Sequence, residues 1–321
     1  MMDRRAFASG LALALVGAPT IGRAQTTGRI PRVVVYATTP VWKDTIIARL
    51  SELGWVEGRS VVVEWRDPDS SAAMESDLRK WVELPVDVFV MGGPLRVRAV
   101  MKATQTIPIV GIDLESDPVA SGFVKSLARP GTNVSGIWMD LPELAGKQLQ
   151  FLREVVPTLR RVGIVWDDRV GAPQLAQARS AARASNISLH PVPLHTPAEA
   201  GDVMKRLLVE RPQAIVVLTA PVVFSALSRL ADLARQHRLP SISPFSTYPA
   251  SGGLLAYGPD FPTMWRQTAS YVDRVLRGAK IADLPVERPS KFVLGVSVKT
   301  AKAIGLSIPQ PLLLRADEVI E

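Results

Sequence analysis

The sequence predicts an α/β chain built as two Rossmann-like, doubly wound lobes joined by a three-strand hinge. Short Val- and Ile-rich runs alternate with amphipathic segments from end to end. Runs unbroken by polar residues are the pattern of parallel strands covered on both faces. About ten such runs are too many for one ordinary sheet, whereas two sheets of about five are economical. Two Gly- or Trp-containing strands, near 138–142 and 252–258, and a third stretch near 291–298 read as crossings between lobes. On that division 30–137 plus 256–285 form one lobe, and 138–255 plus 286–321 form the other.

The N-terminus stands apart. Asp3-Arg4-Arg5-Ala6-Phe7 precedes an apolar run, 8–18, which Gly22-Arg23-Ala24 ends. A positive start, a short hydrophobic middle and a small-x-Ala end make residues 1–24 a secretory signal peptide, with a run too short to span a bilayer. Arg4-Arg5-x-Phe7 and the mildly hydrophobic middle also resemble a twin-arginine signal. The mature chain is expected to begin near Gln25 and to work outside the cytoplasm.

In the first half, strands are predicted at 32–37, 60–65, 87–91, 107–113 and 133–139, and helices at 42–53, 95–104 and 119–127. Gly54 and Gly131 are placed to stop helices. In the second half, strands fall at 161–166, 187–194, 214–218, 241–244 and 253–257, and helices at 143–156, 174–185, 224–238 and 261–277. Thr196-Pro197-Ala198-Glu199 is a capping box with Pro at the first helical position, so a helix starts there.

Composition narrows the function. The 321 residues hold no cysteine, which removes disulfides, thiolate metal sites, Cys nucleophiles and a lipoprotein anchor. The formal charge is +8, but basic residues such as Arg153, Arg160, Arg161, Arg179 and Arg183 are dispersed over predicted helices and loops. A nucleic-acid binder would concentrate that charge; a solvated surface disperses it. Past residue 24 no stretch is apolar enough, at sufficient length, to cross a membrane, so a soluble mature chain is expected.

Several blocks carry a family resemblance: Leu53-Gly54-Trp55-Val56-Glu57-Gly58, the run from Ser126-Leu127-Ala128-Arg129-Pro130-Gly131 to Gly136, and Pro142-Glu143-Leu144-Ala145-Gly146-Lys147. Gly258-Pro259, Leu284-Pro285-Val286-Glu287, Lys299-Thr300-Ala301-Lys302 and the tail from Leu312 to Glu321 continue it. Together they resemble the ABC-transporter substrate-binding protein family that includes the tryptophan/tyrosine-type binding proteins, in order and over nearly the whole mature chain. The resemblance implies a type I periplasmic-binding-protein fold with its ligand in the interlobe cleft. It also implies a monomeric periplasmic protein that serves an inner-membrane ABC permease, with no metal or organic cofactor.

In open parallel sheets ligands bind beyond the carboxyl ends of the strands. Thr38 and Thr39 follow the first strand; Thr39 either caps the next helix or meets the ligand. Gly93 and Pro94, after Met91-Gly92, open a helix whose amides suit a carboxylate. Asp113, Glu115, Ser116 and Asp117 cluster after the fourth strand, where an acidic loop suits an amine or hydroxyl; Asp117 also reads as a cap for a helix at Val119. Trp138, at a crossing, either stacks on a planar ligand or simply packs. In the second half the candidates are Asp167, Thr219, Phe245 and Tyr257. Where relatives tend to carry Asn-Pro this chain has Asp167-Asp168, and where many place an acid before Pro it has Ala220, which offers an ammonium group nothing.

Enzyme signatures are missing: no nucleophile elbow, phosphate loop or dinucleotide fingerprint occurs. His190 and His195 lack metal spacing, and His237 sits where a helix dipole favours a cation. The sequence therefore predicts a binding protein rather than an enzyme. An exported small-molecule enzyme and a ligand-sensing subunit for a membrane receptor remain the alternatives.

Overall fold

The computed structural model describes residues 29–36, 40–68, 70–139 and 143–321. The predicted leader, 1–24, and the candidates Thr38 and Thr39 lie outside the described residues.

The first lobe is a five-stranded parallel sheet. Its strands are β1 (Arg32–Tyr36), β2 (Val62–Arg66), β3 (Val88–Gly92), β4 (Ile109–Asp113) and β5 (Val134–Trp138), in the order β2-β1-β3-β4-β5. Helices α1 (Pro40–Glu52), α2 (Ser71–Trp81) and α3 (Pro94–Ala103) connect them. Every residue of β3, β4 and β5 is buried, which is why those runs lack polar alternation. Along β1, Val33 and Val35 face the layer holding Ile46 and Leu50 of α1, while Val34 and Tyr36 face Leu78 of α2 and Val97 of α3. Helix α2 had no counterpart in the sequence reading; Ser70 caps it by accepting from the Ala73 amide.

The helix predicted at 119–127 does not form. Asp117 does cap, accepting from the amides of Val119 and Ala120 at 2.7 and 3.1 Å, and Phe123 N reaches back to Pro118 O. Gly122, however, takes φ +72°, which ends the segment after one turn.

The second lobe begins with α4 (Glu143–Val155), β6 (Arg161–Trp166), α5 (Ala172–Ala184) and β7 (Ser188–Pro193). Helix α6 (Ala200–Val209), strand β8 (Ala214–Val217), helices α7 (Pro221–Ser225) and α8 (Leu227–Gln236) and strand β9 (Ser241–Ser243) follow. The predicted helix 224–238 is thus the end of α7 and all of α8, with the break at Ala226. The predicted capping box works one residue early: Glu199 accepts from the amide of His195, and a single 3₁₀ turn at Pro197–Glu199 leads into α6.

The chain then makes β10 (Leu255–Pro259), α9 (Phe261–Leu276), β11 (Phe292–Ser297), α10 (Val298–Ile304), α11 (Gln310–Leu313) and β12 (Glu318–Ile320). The second sheet has seven strands, in the order β12-β11-β10-β9-β8-β6-β7, rather than five. The extra strands come from the C-terminal segment, where β11 pairs antiparallel with β10 and parallel with β12.

Although β10 and β11 lie in the second sheet, α9 between them packs on the first lobe. Trp55 Nε1 donates to Asp273 at 2.8 Å, both Nη atoms of Arg266 reach Glu52 at 2.9 and 2.7 Å, and the Trp42 and Trp265 rings lie 5.4 Å apart. An isolated bridge joins Ile137 at the end of β5 to Glu287 on the return path. The chain therefore passes between the sheets after β5, after β10 and before β11, at one side of the molecule.

Gly136 lets β4 and β5 approach. It sits at φ +139°, and a Cβ there would collide with the carbonyl oxygen of Gly111. Gly136→Ala should destabilise the protein by about 3 kcal/mol, since backbone cannot yield to the added methyl. Gly201, in α6, has open space at its Cβ position, so Gly201→Ala should be neutral or stabilising by about 0.5–1 kcal/mol. Urea denaturation of the two variants measures both.

Candidate ligand-binding cleft

The carboxyl ends of β3 and β4 face those of β8 and β9 across the space between the sheets. A cavity lies there, with walls from both lobes. The first lobe contributes Gly93, Arg96 and Glu115, and the second contributes Pro221, Phe224 and Phe245. Trp42, at the start of α1, and Phe261, at the start of α9, complete the aromatic lining. Phe245 is the centre of that wall, 4.8 Å from the Phe224 ring in an edge contact and 5.5 Å from Phe261. A second cavity lies beyond Leu114 and Glu115, bounded by Ser116, Met139, Leu144, Pro173, Gln174 and Gln177.

The lobes touch. A Cβ on Gly93 would stand 3.0 Å from Pro221 Cγ, and Thr219 Oγ1 is 3.5 Å from the Leu114 carbonyl oxygen. The arrangement is a closed one.

Several predicted residues hold the cleft's frame rather than border a cavity. Asp113 is fully buried and accepts from the amides of Glu115 and Ser116 at 2.8 and 3.1 Å, from the Ser116 hydroxyl, and from Trp138 Nε1 at 3.1 Å. The Trp138 ring lies over Gly111 with its one donor committed to that carboxylate. Asp167, also buried, takes a two-pronged contact from Arg169 at 2.8 and 2.7 Å. Gln174 of α5 clamps Thr219, receiving its amide and hydroxyl at 3.0 and 2.7 Å and donating to its carbonyl at 2.9 Å. Asp117 is exposed in its turn. Tyr257 packs within the second lobe, 5.0 Å from Phe151 and 6.2 Å from Phe292.

Gly93 and Phe245 are the predicted residues that line the main cavity. Pro94 begins α3 beside it, and the Gly93 amide donates to the Ile112 carbonyl at 2.8 Å. Glu115, from the predicted acidic cluster, also lines it, as do Trp42, Arg96, Phe224 and Phe261, which the sequence does not single out as site residues. Trp42, Arg96 and Phe261 sit within the first turns of helices that follow strand ends, so position alone could have flagged them.

Arg96 and Glu115 are the ionisable side chains of this lining among the described residues. Arg96 pairs with Asp67 at 3.2 Å. Burial pushes the Glu115 carboxyl well above its usual range, and the neighbouring Asp113 charge and hydrogen bond push it further, as does the Asp167 charge. Burial raises Asp113 too, but its donors oppose that shift, so Glu115 carries the proton of the pair. Among the described residues no group of three or more His, Cys, Asp or Glu could hold a metal ion, and no helix is long and apolar enough to cross a membrane.

Residues 41–320 match the model of the ABC transporter substrate binding protein family. The chain belongs to this family. A tyrosine-binding protein of Clostridioides difficile (strain R20291) is 23% identical over 280 residues, which cover 86% of this chain and 80% of that protein. The crystal structure of a conserved domain protein from Vibrio cholerae superposes with a TM-score of 0.83 at 25% identity, covering 91% of this chain and all 100% of that one. An ABC domain in complex with L-Trp from Streptococcus pneumonia gives 0.81 at 20% identity, covering 90% and 98%. The fold is that of type I periplasmic binding proteins, as the resemblance implied. This ABC transporter substrate-binding protein is the ligand-binding component of an importer, and its family is one of solute binders rather than enzymes.

Phe245 tests the cavity wall. Phe245→Ala should cost about 3 kcal/mol by opening space among Phe224 and Phe261, whereas Phe245→Leu should cost less than about 1.5 kcal/mol. Guanidinium denaturation distinguishes them.

Proposed function

We propose that this chain is exported by its leader, closes around a small organic solute in the interlobe cavity, and delivers it as a monomer to an ABC permease in the inner membrane. One observation carries the reading: both lobes wall the cavity, and they touch at Gly93 and Pro221. A ligand there makes contacts that exist together only in the closed arrangement. Its binding energy therefore shifts the open–closed population toward closed, and reopening releases it.

The lining supports a ligand with an aromatic ring or a comparable apolar body. Trp42, Phe224, Phe245 and Phe261 offer flat apolar surface, and Arg96 and Glu115 offer polar ends. Amino acid-like molecules, aromatic acids and small carboxylates or amines fit that description. The tyrosine-binding relative and the L-Trp complex are in keeping with it. A thermal-shift screen over these classes should yield a hit that stabilises the protein by about 2.7 kcal/mol at a hundredfold excess over Kd.

Gly93→Ala tests closure itself. The added methyl would press on Pro221 from a residue at φ +82°, so the affinity of the hit should fall at least about tenfold, or 1.4 kcal/mol. Ligand-induced compaction in X-ray scattering should shrink with it. Unchanged affinity and unchanged compaction would show that the lobes do not meet in the working state. Export is checked separately: the N-terminus of protein recovered from the periplasm should be Gln25, and lysine in place of Arg4 and Arg5 should retain the chain inside if the twin-arginine route is used.

A further inference from the structure

We infer that Glu115 is the charge lock of the cleft: its carboxylate opposes closure over an empty cavity, and the ammonium group of an organic amine neutralises it. The inference rests on the reading of the cleft as the ligand site.

The geometry comes first. Glu115 is 5% exposed and belongs to the wall shared by the two interlobe cavities. Its Oε2 lies 3.8 Å from the position a Gly93 Cβ would take, at the main cavity's edge. The elements that cover it come from the second lobe: Ala220 and Pro221 on one side, Pro173, Gln174 and Gln177 on the other. Opening the lobes lifts these residues away and returns Glu115 to water.

The one cation of the main cavity's lining among the described residues, Arg96, is shared between Glu115 and a second carboxylate, Asp67. The groups that face Glu115 are Asp113 on its own turn, Asp167 at the end of β6 and Arg96 on α3. Arg96 is also engaged by Asp67, and Arg169 holds Asp167 in two contacts. The one hydrogen bond Glu115 accepts from a described backbone amide is a long one, 3.4 Å from Leu114 N. A buried carboxylate beside two other acids, with one shared cation and one long amide contact, is costly to keep charged, so an empty closed cleft must either protonate it or bear its desolvation.

The sign follows from linkage. The Glu115 carboxyl is raised in the closed form and rewetted in the open one, so closing an empty cleft takes up a proton. Acid favours that closure, and it is lost as pH rises from the ordinary carboxylate range through the raised value. Rising pH therefore shifts the empty protein toward the open form. An ammonium group replaces the proton with a fixed positive charge, while Trp42, Phe224, Phe245 and Phe261 enclose the rest of the molecule. An anion or a neutral isostere meets the same walls but leaves the carboxylate unanswered.

Scattering of the ligand-free protein tests the lock without any ligand. The wild type should be more compact at about pH 5 than at about pH 8, and Glu115→Gln should be compact at both. Equal dimensions of the wild type at the two values, or an expanded Glu115→Gln at the higher one, would overturn the lock. If Glu115→Gln does not fold, the wild-type response decides alone. The ligand class is tested by calorimetry with phenethylamine, 2-phenylethanol and 3-phenylpropionate, which share a ring and differ in charge. The wild type should prefer the amine at least about tenfold, which is 1.4 kcal/mol, and Glu115→Gln should lose that preference. Preference for the carboxylate, or an amine preference that survives Glu115→Gln, would overturn the assignment. Failure of all three to bind would instead count against the cavity as the ligand site, with the lock still decided by scattering.

Discussion

Asp113 closes β4 with both carboxylate oxygens committed inside the first lobe. One side receives the backbone amides of Glu115 and Ser116, and the other receives the Ser116 hydroxyl and the Trp138 indole. These bonds fix the turn that carries Leu114 and Glu115 into the cleft, and they tie that turn to β5, from which the chain leaves the first lobe. Trp138 can lie flat over Gly111 only because that residue has no side chain, and Gly136 permits the matching backbone approach. A buried carboxylate is stable here because four donors satisfy it. The position of the cleft floor relative to the hinge thus depends on one acid with four donors, while its neighbour Glu115 has a single long amide contact and the Asp113 carboxyl itself.

The crossings constrain how the lobes move. Helix α9 is bound to α1 by Arg266–Glu52 and to the turn after α1 by Trp55–Asp273, so it travels with the first lobe, while β10 and β11 on either side of it are hydrogen-bonded in the second sheet. Bending must be absorbed in the few residues between Pro259 and Phe261, between Glu287 and Phe292, and after β5. Such a hinge leaves each lobe's core intact and changes only what faces the cleft. The residues that do change environment are those with contacts across it: Gly93 with Pro221, Leu114 with Thr219, and Glu115 beneath both lobes.

Much of the architecture was legible because burial on both faces leaves a local imprint. The all-apolar stretches at 88–91 and 162–165 needed no tertiary information to be read as strands. The turn after Asp117 was misread for the opposite reason: an Asp-Pro cap signals a helix locally, and nothing before Gly122 announces that the chain will turn left-handed there. The edge strand β12 was harder still, because it is largely exposed and pairs with one neighbour only. In the cleft, Gly93 and Phe245 could be placed from their positions after strands. Glu115 was visible as part of an acidic cluster, but its burial comes from Gln174 and Pro221, residues far along the chain in the other lobe. Desolvation by a distant segment leaves no trace in a residue's own neighbourhood.

That dependence on distance gives the cleft its selectivity. The aromatic walls and the acid do not act separately, because the same closure that brings Phe224 and Phe245 over the ligand also removes water from Glu115. Apolar walls alone discriminate weakly: one methylene more or less changes affinity by about 1–3 kcal/mol, and an isostere of different polarity is tolerated. A buried ionisable group that the wrong ligand leaves unpaired discriminates far more strongly, since its desolvation is then uncompensated. The penalty is also paid only on closing. A mismatched solute can enter the open cleft and touch either lobe, yet the closed form that a permease would receive is withheld from it. Recognition and closure are in this sense one equilibrium, governed by whether the occupant supplies the charge that the cleft lacks.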